Sequence, residues 1–144
     1  RDSDSLVHNS FEFYFGSFED LMTKGGWKPN KKMSKRQILD LLTTIIKNEL
    51  SDLRATLVEQ ELILIAARNP TLAKAYREWE RTGIDIFAAF LKKSGYRNPK
   101  DVSHILINLI RGFLLERLTD NTLTEKQFRM RASLLLTALS PQIK

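Results

Sequence analysis

Ser34-Lys35-Arg36-Gln37-Ile38-Leu39-Asp40-Leu41-Leu42-Thr43-Thr44-Ile45-Ile46 decides the fold class. A serine followed three residues later by a glutamine forms a capping box, in which each side chain accepts from the other residue's backbone N–H. Behind the box Ile38, Leu41, Leu42, Ile45 and Ile46 recur at i, i+3, i+4, i+7 and i+8. That spacing lines one face of an α-helix, whereas a strand would need strict alternation. The pattern weakens from Asn48 to Ser51, where a break or kink is expected.

The same signals recur downstream. A second helix from about Asp52 carries Leu53, Leu57, Val58, Leu62, Leu64 and Ile65 and ends at Asn69-Pro70. Its second half, Leu62-Ile63-Leu64-Ile65-Ala66-Ala67, is apolar all round and is therefore expected at the centre of the core. Pro70 suits the first turn of a third, long helix. On it Leu72, Ala75, Tyr76, Trp79, Gly83, Ile86, Phe87, Phe90 and Leu91 keep the helical period, and Gly95 is expected as a left-handed C-cap. Asn98-Pro99 opens a fourth helix through Val102, Ile105, Leu106, Leu109, Ile110, Phe113, Leu114 and Leu118. Thr124-Glu125-Lys126-Gln127 is a second capping box, opening a last helix with Phe128, Ala132, Leu135, Leu136 and Leu139, which Pro141 ends. Nearer the start, Ser17 caps a short helix that Gly25-Gly26 stops. The alternation of Phe11, Phe13 and Phe15 is a single strand signal, too isolated to build a sheet. The expected class is all-α.

Composition narrows the function. A chain of 144 residues with 42% apolar and 28% charged residues can bury one core. It has no apolar run of membrane length, and Arg1-Asp2-Ser3-Asp4 is not the opening of a signal peptide. The absence of an initial Met suggests processing or lost residues. With no cysteine there is no disulfide or thiolate chemistry, which fits the cytoplasm. His8 and His104 lie far apart, which disfavours a histidine metal site, and His104 reads as a surface or interface residue. The net charge of +6 is spread along the chain. Its densest cluster, Lys28, Lys31, Lys32, Lys35 and Arg36, either lies along phosphates or is a solvated loop and helix start. There is no glycine-rich phosphate loop, no His-x-x-x-His pair and no Ser-His-acid set. Glu59 and Glu61, two apart on a helix, diverge. No catalytic residue, metal or cofactor is expected, and the chain does not read as an enzyme.

Phe13-Tyr14-Phe15-Gly16-Ser17-Phe18-Glu19-Asp20-Leu21 is an aromatic-aromatic-Gly-Ser turn opening an acidic helix. Far downstream come Glu59-Gln60-Glu61-Leu62-Ile63-Leu64-Ile65-Ala66-Ala67-Arg68-Asn69-Pro70, the aromatic run from Leu72 to Trp79, and a long apolar helix. Together these resemble the tetracycline-repressor (TetR) family of regulators. The resemblance implies an antiparallel helical bundle over residues 22–144 that binds a ligand and dimerises, preceded at 1–21 by a remnant of a helix-turn-helix DNA-binding domain. Ser5-Leu6-Val7-His8 resembles the family's recognition helix and Tyr14-Phe15-Gly16-Ser17 its exit turn, so Ser5, His8 and Tyr14 are the implied DNA contacts. Two departures stand out: Asn9-Ser10-Phe11-Glu12-Phe13 intervenes before the turn, and Phe18 replaces the customary lysine. The two helices that precede the recognition helix are not in this sequence, so an operator is expected as a partner only through a complete N-terminal domain.

The resemblance further implies a small-molecule effector, a homodimer and no membrane. A rival reading is a helical protein-interaction module without a small-molecule ligand. The ligand candidates are Tyr76, Trp79, Phe87 and Phe90, although with Phe113 these aromatics also suit a plain core. Asn108 and Arg111 add polar groups to the apolar run 105–115, three apart on nearly one helix face. Buried polar groups need partners. Either these two pair with Glu59, Glu61 or Glu116, or they orient a ligand. The dimer candidates are Ile107, Ile110 and Leu114 on the fourth helix and Phe128, Leu135 and Leu139 on the last.

Overall fold

The computed structural model describes residues 31–139, which form five helices: α1 Lys35–Ser51, α2 Arg54–Ala67, α3 Pro70–Lys93, α4 Pro99–Thr119 and α5 Glu125–Leu139. The expected features at Ser5, His8, Phe11, Tyr14, Ser17, Gly25-Gly26 and Pro141 lie outside the described residues.

The helix boundaries follow local chemistry. At the start of α1 the Gln37 N–H donates to Ser34 Oγ at 3.2 Å, and the Ser34 N–H donates to Gln37 Oε1 at 2.8 Å. The break expected near Ser51 falls at Asp52, whose carboxylate accepts from the Arg54 N–H at 3.1 Å. Asn69 caps α3 by accepting from the N–H groups of Thr71 and Leu72, with Pro70 in the first turn. Gly95 has φ 88°, open to glycine at little cost. The Tyr96 N–H donates to Leu91 O at 3.0 Å and the Gly95 N–H to Lys92 O at 3.1 Å, a Schellman closure of α3. Asn98, left-handed at φ 49°, then turns the chain into Pro99 and α4. At α5 the Thr124 N–H donates to Gln127 Oε1 at 2.9 Å.

Two helix pairs carry the core, α3 with α4 and α1 with α5, while α2 packs chiefly on α3. Ile38, Leu41, Leu42 and Ile46 of α1 meet Phe87, Phe90 and Leu91 of α3, Leu106 and Phe113 of α4, and Phe128 and Leu136 of α5, all wholly or almost wholly buried. Two edge-to-face aromatic pairs, Phe87 with Phe90 and Phe113 with Phe128, have centroids 5.3 Å apart and add about 0.5–1.5 kcal/mol each beyond area burial. The buried Ser103 hydroxyl donates to Ile84 O at 2.7 Å and fixes α4 against α3. Arg129 bridges α5 to Asp40 of α1 at 2.8 Å, and Lys35 of α1 donates to Thr137 of α5.

The position of α2 departs from expectation. Its apolar second half was expected at the centre, yet Leu64 is 62% and Ile65 46% exposed. Only Thr56, Leu62 and Ala66 of this helix are buried. An apolar helix is central only when neighbours surround it. Here the other two pairs close the core on themselves, and α2 is left with one main neighbour.

Candidate functional site

Because α2 is held mainly by α3, a partly open cavity of about 120 Å³ remains between α1, α2, α3 and α4. Ile45 and Glu49 of α1 and Thr56, Glu59 and Gln60 of α2 form one side. Trp79, Glu80, Gly83 and Phe87 of α3 and Ile107, Ile110, Arg111 and Leu114 of α4 form the other. Glu80, Gly83 and Phe87 recur along one stripe of α3. Gly83 helps keep the space open: a Cβ added there would meet nothing within 4 Å.

Arg111 organises the polar wall. Its Nη2 donates to Glu80 Oε2 at 2.8 Å and to the Tyr76 hydroxyl at 3.2 Å, and its Nε lies 3.4 Å from Glu59 Oε1. Nη1 donates to Asn108 Oδ1 at 3.4 Å. Burial works against the guanidinium charge, but Tyr76, Glu80 and Glu59 outweigh it and hold Arg111 protonated. Burial raises Glu59 above the usual carboxylate range, with Arg111 opposing. It also raises the Tyr76 hydroxyl, again against Arg111. Glu49 is pushed up to about 7, first by burial and then by Glu59 and Asp52. A further polar feature is Thr56, 6% exposed, whose hydroxyl oxygen on the cavity wall has no hydrogen-bond partner. Three carboxylates thus face one guanidinium.

The structure divides the sequence candidates. Trp79, Phe87 and Arg111 line the cavity. Tyr76 bonds Arg111 and lies tilted against Trp79 with ring centroids 5.5 Å apart. Phe90 is not a lining residue; it is wholly buried in the core. Asn108 is exposed and touches the cavity only through its bond to Arg111. Of the partners expected for Arg111, Glu59 is one, while Glu116 binds Arg131 at 2.8 Å and Glu61 is exposed. Sequence reading missed Glu49, Thr56, Gln60 and Glu80. The usable signal was an acidic residue and a glycine, Glu80 and Gly83, interrupting the aromatic stripe of α3.

The structure places the dimer candidates on the cavity and core sides of their helices. Ile107, Ile110 and Leu114 line the cavity, Phe128 is wholly buried, and Leu135 and Leu139 pack half-buried against the core. Among the residues that α4 turns outward, Ile105, Asn108, Gly112 and Leu115 fall on one stripe, and the exposed apolar residues of α5 include Met130 and Leu134. Ile105 and Leu115 are each 41% exposed, Met130 68% and Leu134 69%. In a helix apolar on several sides, periodicity alone does not say which side faces inward. Of the basic cluster, Lys31, Lys32 and Arg36 are exposed, while Lys35 is engaged with Thr137. Among the described residues, no group of three His, Cys, Asp or Glu could hold a metal ion, and no helix is long and apolar enough to cross a membrane.

The family model of the tetracyclin repressor-like C-terminal domain matches residues 33–141, covering all five helices and every wall of the cavity. No curated protein and no solved structure matches the chain. The match spans well over half of the chain and agrees with its all-α architecture, so the protein belongs to the tetracyclin repressor-like C-terminal domain family.

Proposed function

We propose that this domain is the sensory and dimerising half of a TetR-like transcriptional regulator, and that a small effector binds in the cavity between α1, α2, α3 and α4. The observation that carries the reading is the cavity itself, an apolar space with a set of polar groups along its walls, as ligand sites are built. A ligand that prefers one arrangement of these helices shifts the population toward it, and that preference is the coupling energy passed to a DNA-binding domain. DNA is a partner of the regulator through that other domain, and the cytoplasm is its place of action.

Gly83→Leu tests the site. The new side chain enters open space on the cavity wall, and leucine is a better helix former than glycine by up to about 1 kcal/mol, so the fold is retained. In a thermal-shift screen, compounds that stabilise the wild-type domain are expected to lose their effect on this variant. Hits that stabilise both alike would place the ligand elsewhere. A second reading, docking of a protein partner, is favoured by the exposed Leu57, Val58, Leu64 and Ile65 of α2. A screen without any cavity-dependent stabiliser would support it.

The dimer forms, on this proposal, across the outward faces of α4 and α5 about a two-fold axis, the commonest closed assembly. Gly112 lies on that face, where a missing side chain allows two helices to approach closely. Gly112→Arg is expected to convert dimer to monomer in sedimentation equilibrium at micromolar concentration, with an unchanged far-UV helical signal. A dimer that survives the substitution would contradict this face.

A further inference from the structure

The cavity walls carry more negative than positive charge, and this imbalance specifies a ligand. Resting on the reading of the cavity as the effector site, we propose that it takes a protonated amine carried on a small apolar body. The charged neighbours of Glu49 of α1 are Glu59 of α2 and Asp52 after α1, and Glu80 of α3 and Arg111 of α4 line the same cavity. Arg111 is already engaged by Glu59, Glu80, Tyr76 and Asn108, so it offers little to an anionic ligand. Its single charge leaves the three lining carboxylates under-compensated. An ammonium group supplies the missing charge and N–H donors together. The half-buried Glu49 carboxylate and the Thr56 hydroxyl, the latter buried without a hydrogen-bond partner, are the acceptors on the cavity wall for it.

The apolar part is sized by the walls. A cavity of about 120 Å³ is close to the engineered space of about 150 Å³ that accommodates one benzene ring. Phe87, Ile107, Ile110 and Leu114 provide apolar contact for such a ring. The indole of Trp79 is on the same wall, and an aromatic ring there adds to the attraction of a cation.

The charge on Glu49 couples binding to pH. Its carboxyl, pushed up to about 7, is largely protonated at pH 6 and largely ionised at pH 8. A cation binds the ionised form better, so amine affinity rises across that interval while a neutral ligand is unaffected.

Benzylamine, benzyl alcohol and benzoate present one ring with a cationic, neutral or anionic head. By isothermal titration calorimetry of the full chain at pH 7.5, benzylamine is expected to bind about tenfold more tightly than benzyl alcohol, and benzoate more weakly than either. Glu49→Gln keeps the shape and the Arg111 contacts while removing a charge. It is expected to weaken benzylamine about tenfold, leave benzyl alcohol unchanged and remove most of the gain between pH 6 and 8. Two outcomes would overturn the amine class and leave the cavity standing as a site: equal binding of all three probes, or preference for benzoate, in each case lost in Gly83→Leu. Absence of binding by every probe would overturn the proposal. Probe binding that survives Gly83→Leu would overturn the cavity reading as well.

Discussion

Phe128→Ala is expected to cost the domain about 3–5 kcal/mol, the range for removing a fully buried phenylalanine. Phe128 is 0% exposed and stacks edge-to-face on Phe113 with centroids 5.3 Å apart. The Arg131 guanidinium lies 5.5 Å from the Phe113 ring centre, so the same cluster also anchors a charged residue of α5. Removing the ring opens space where α1, α4 and α5 meet, and well-packed helices collapse into such space only in part. Against a typical total stability of about 5–15 kcal/mol, the loss leaves the domain marginal. Urea unfolding followed by circular dichroism reads it directly, with a lower midpoint and an unchanged slope. Phe128→Leu, which keeps most of the volume, is expected to cost about 1.5 kcal/mol. A loss below about 1 kcal/mol for the alanine variant would show that Phe128 is not in the core.

The second large effect concerns pH. Glu49 has its carboxyl pushed up to about 7 in the folded protein, against the ordinary 4.5 of a free glutamate. The folded protein therefore holds this proton more tightly than the unfolded chain. The stabilisation is complete below about 4.5 and is lost as pH rises through 7. After allowance for partial solvent screening, the loss is about 2 kcal/mol. Burial raises Glu59 as well, so it adds to the same trend, with Arg111 opposing. Glu49→Gln has no charge to desolvate. It is expected to flatten most of the decline between pH 5 and 8 and to exceed the wild type by about 2 kcal/mol at pH 8. Urea midpoints at whole pH values across that interval decide the matter. A wild-type stability that rises with pH, or a variant that keeps the full slope, would contradict the burial of Glu49.

The two predictions differ in how far the sequence announced them. Helix ends and apolar stripes are local, so Ser34 with Gln37, Asn69-Pro70, Gly95 and the heptad-like run of α1 were legible before any packing was known. The period of α5 marks Phe128 as an apolar helix residue, but not that it is wholly buried within the subunit. The apolar residues of α4 and α5 wrap around more than one face, and only the neighbours decide which face is buried. The same limit misplaced α2: its sequence is apolar enough for a centre, but centrality is a property of what surrounds a helix. For Arg111 the sequence named Glu59 among its partners, yet Glu80 belongs to a helix whose rotation against α4 no spacing rule fixes. Glu49 falls in the stretch where the pattern of α1 fades, so its place on the cavity wall is invisible to periodicity.

The chain contains no cysteine, so a single spin label can be introduced cleanly. Arg36 is exposed at the start of α1, close to where the chain enters the domain. Arg36→Cys, labelled in each subunit, allows the distance between two copies to be measured by double electron–electron resonance with and without saturating benzylamine. A defined inter-subunit distance is expected that shifts by about 2 Å or more on ligand addition, as for helix shifts that carry allosteric signals, with no shift when Gly83→Leu fills the cavity. A distance that is the same with and without a ligand bound in the cavity would contradict the claim that this domain senses its effector by rearranging a dimer.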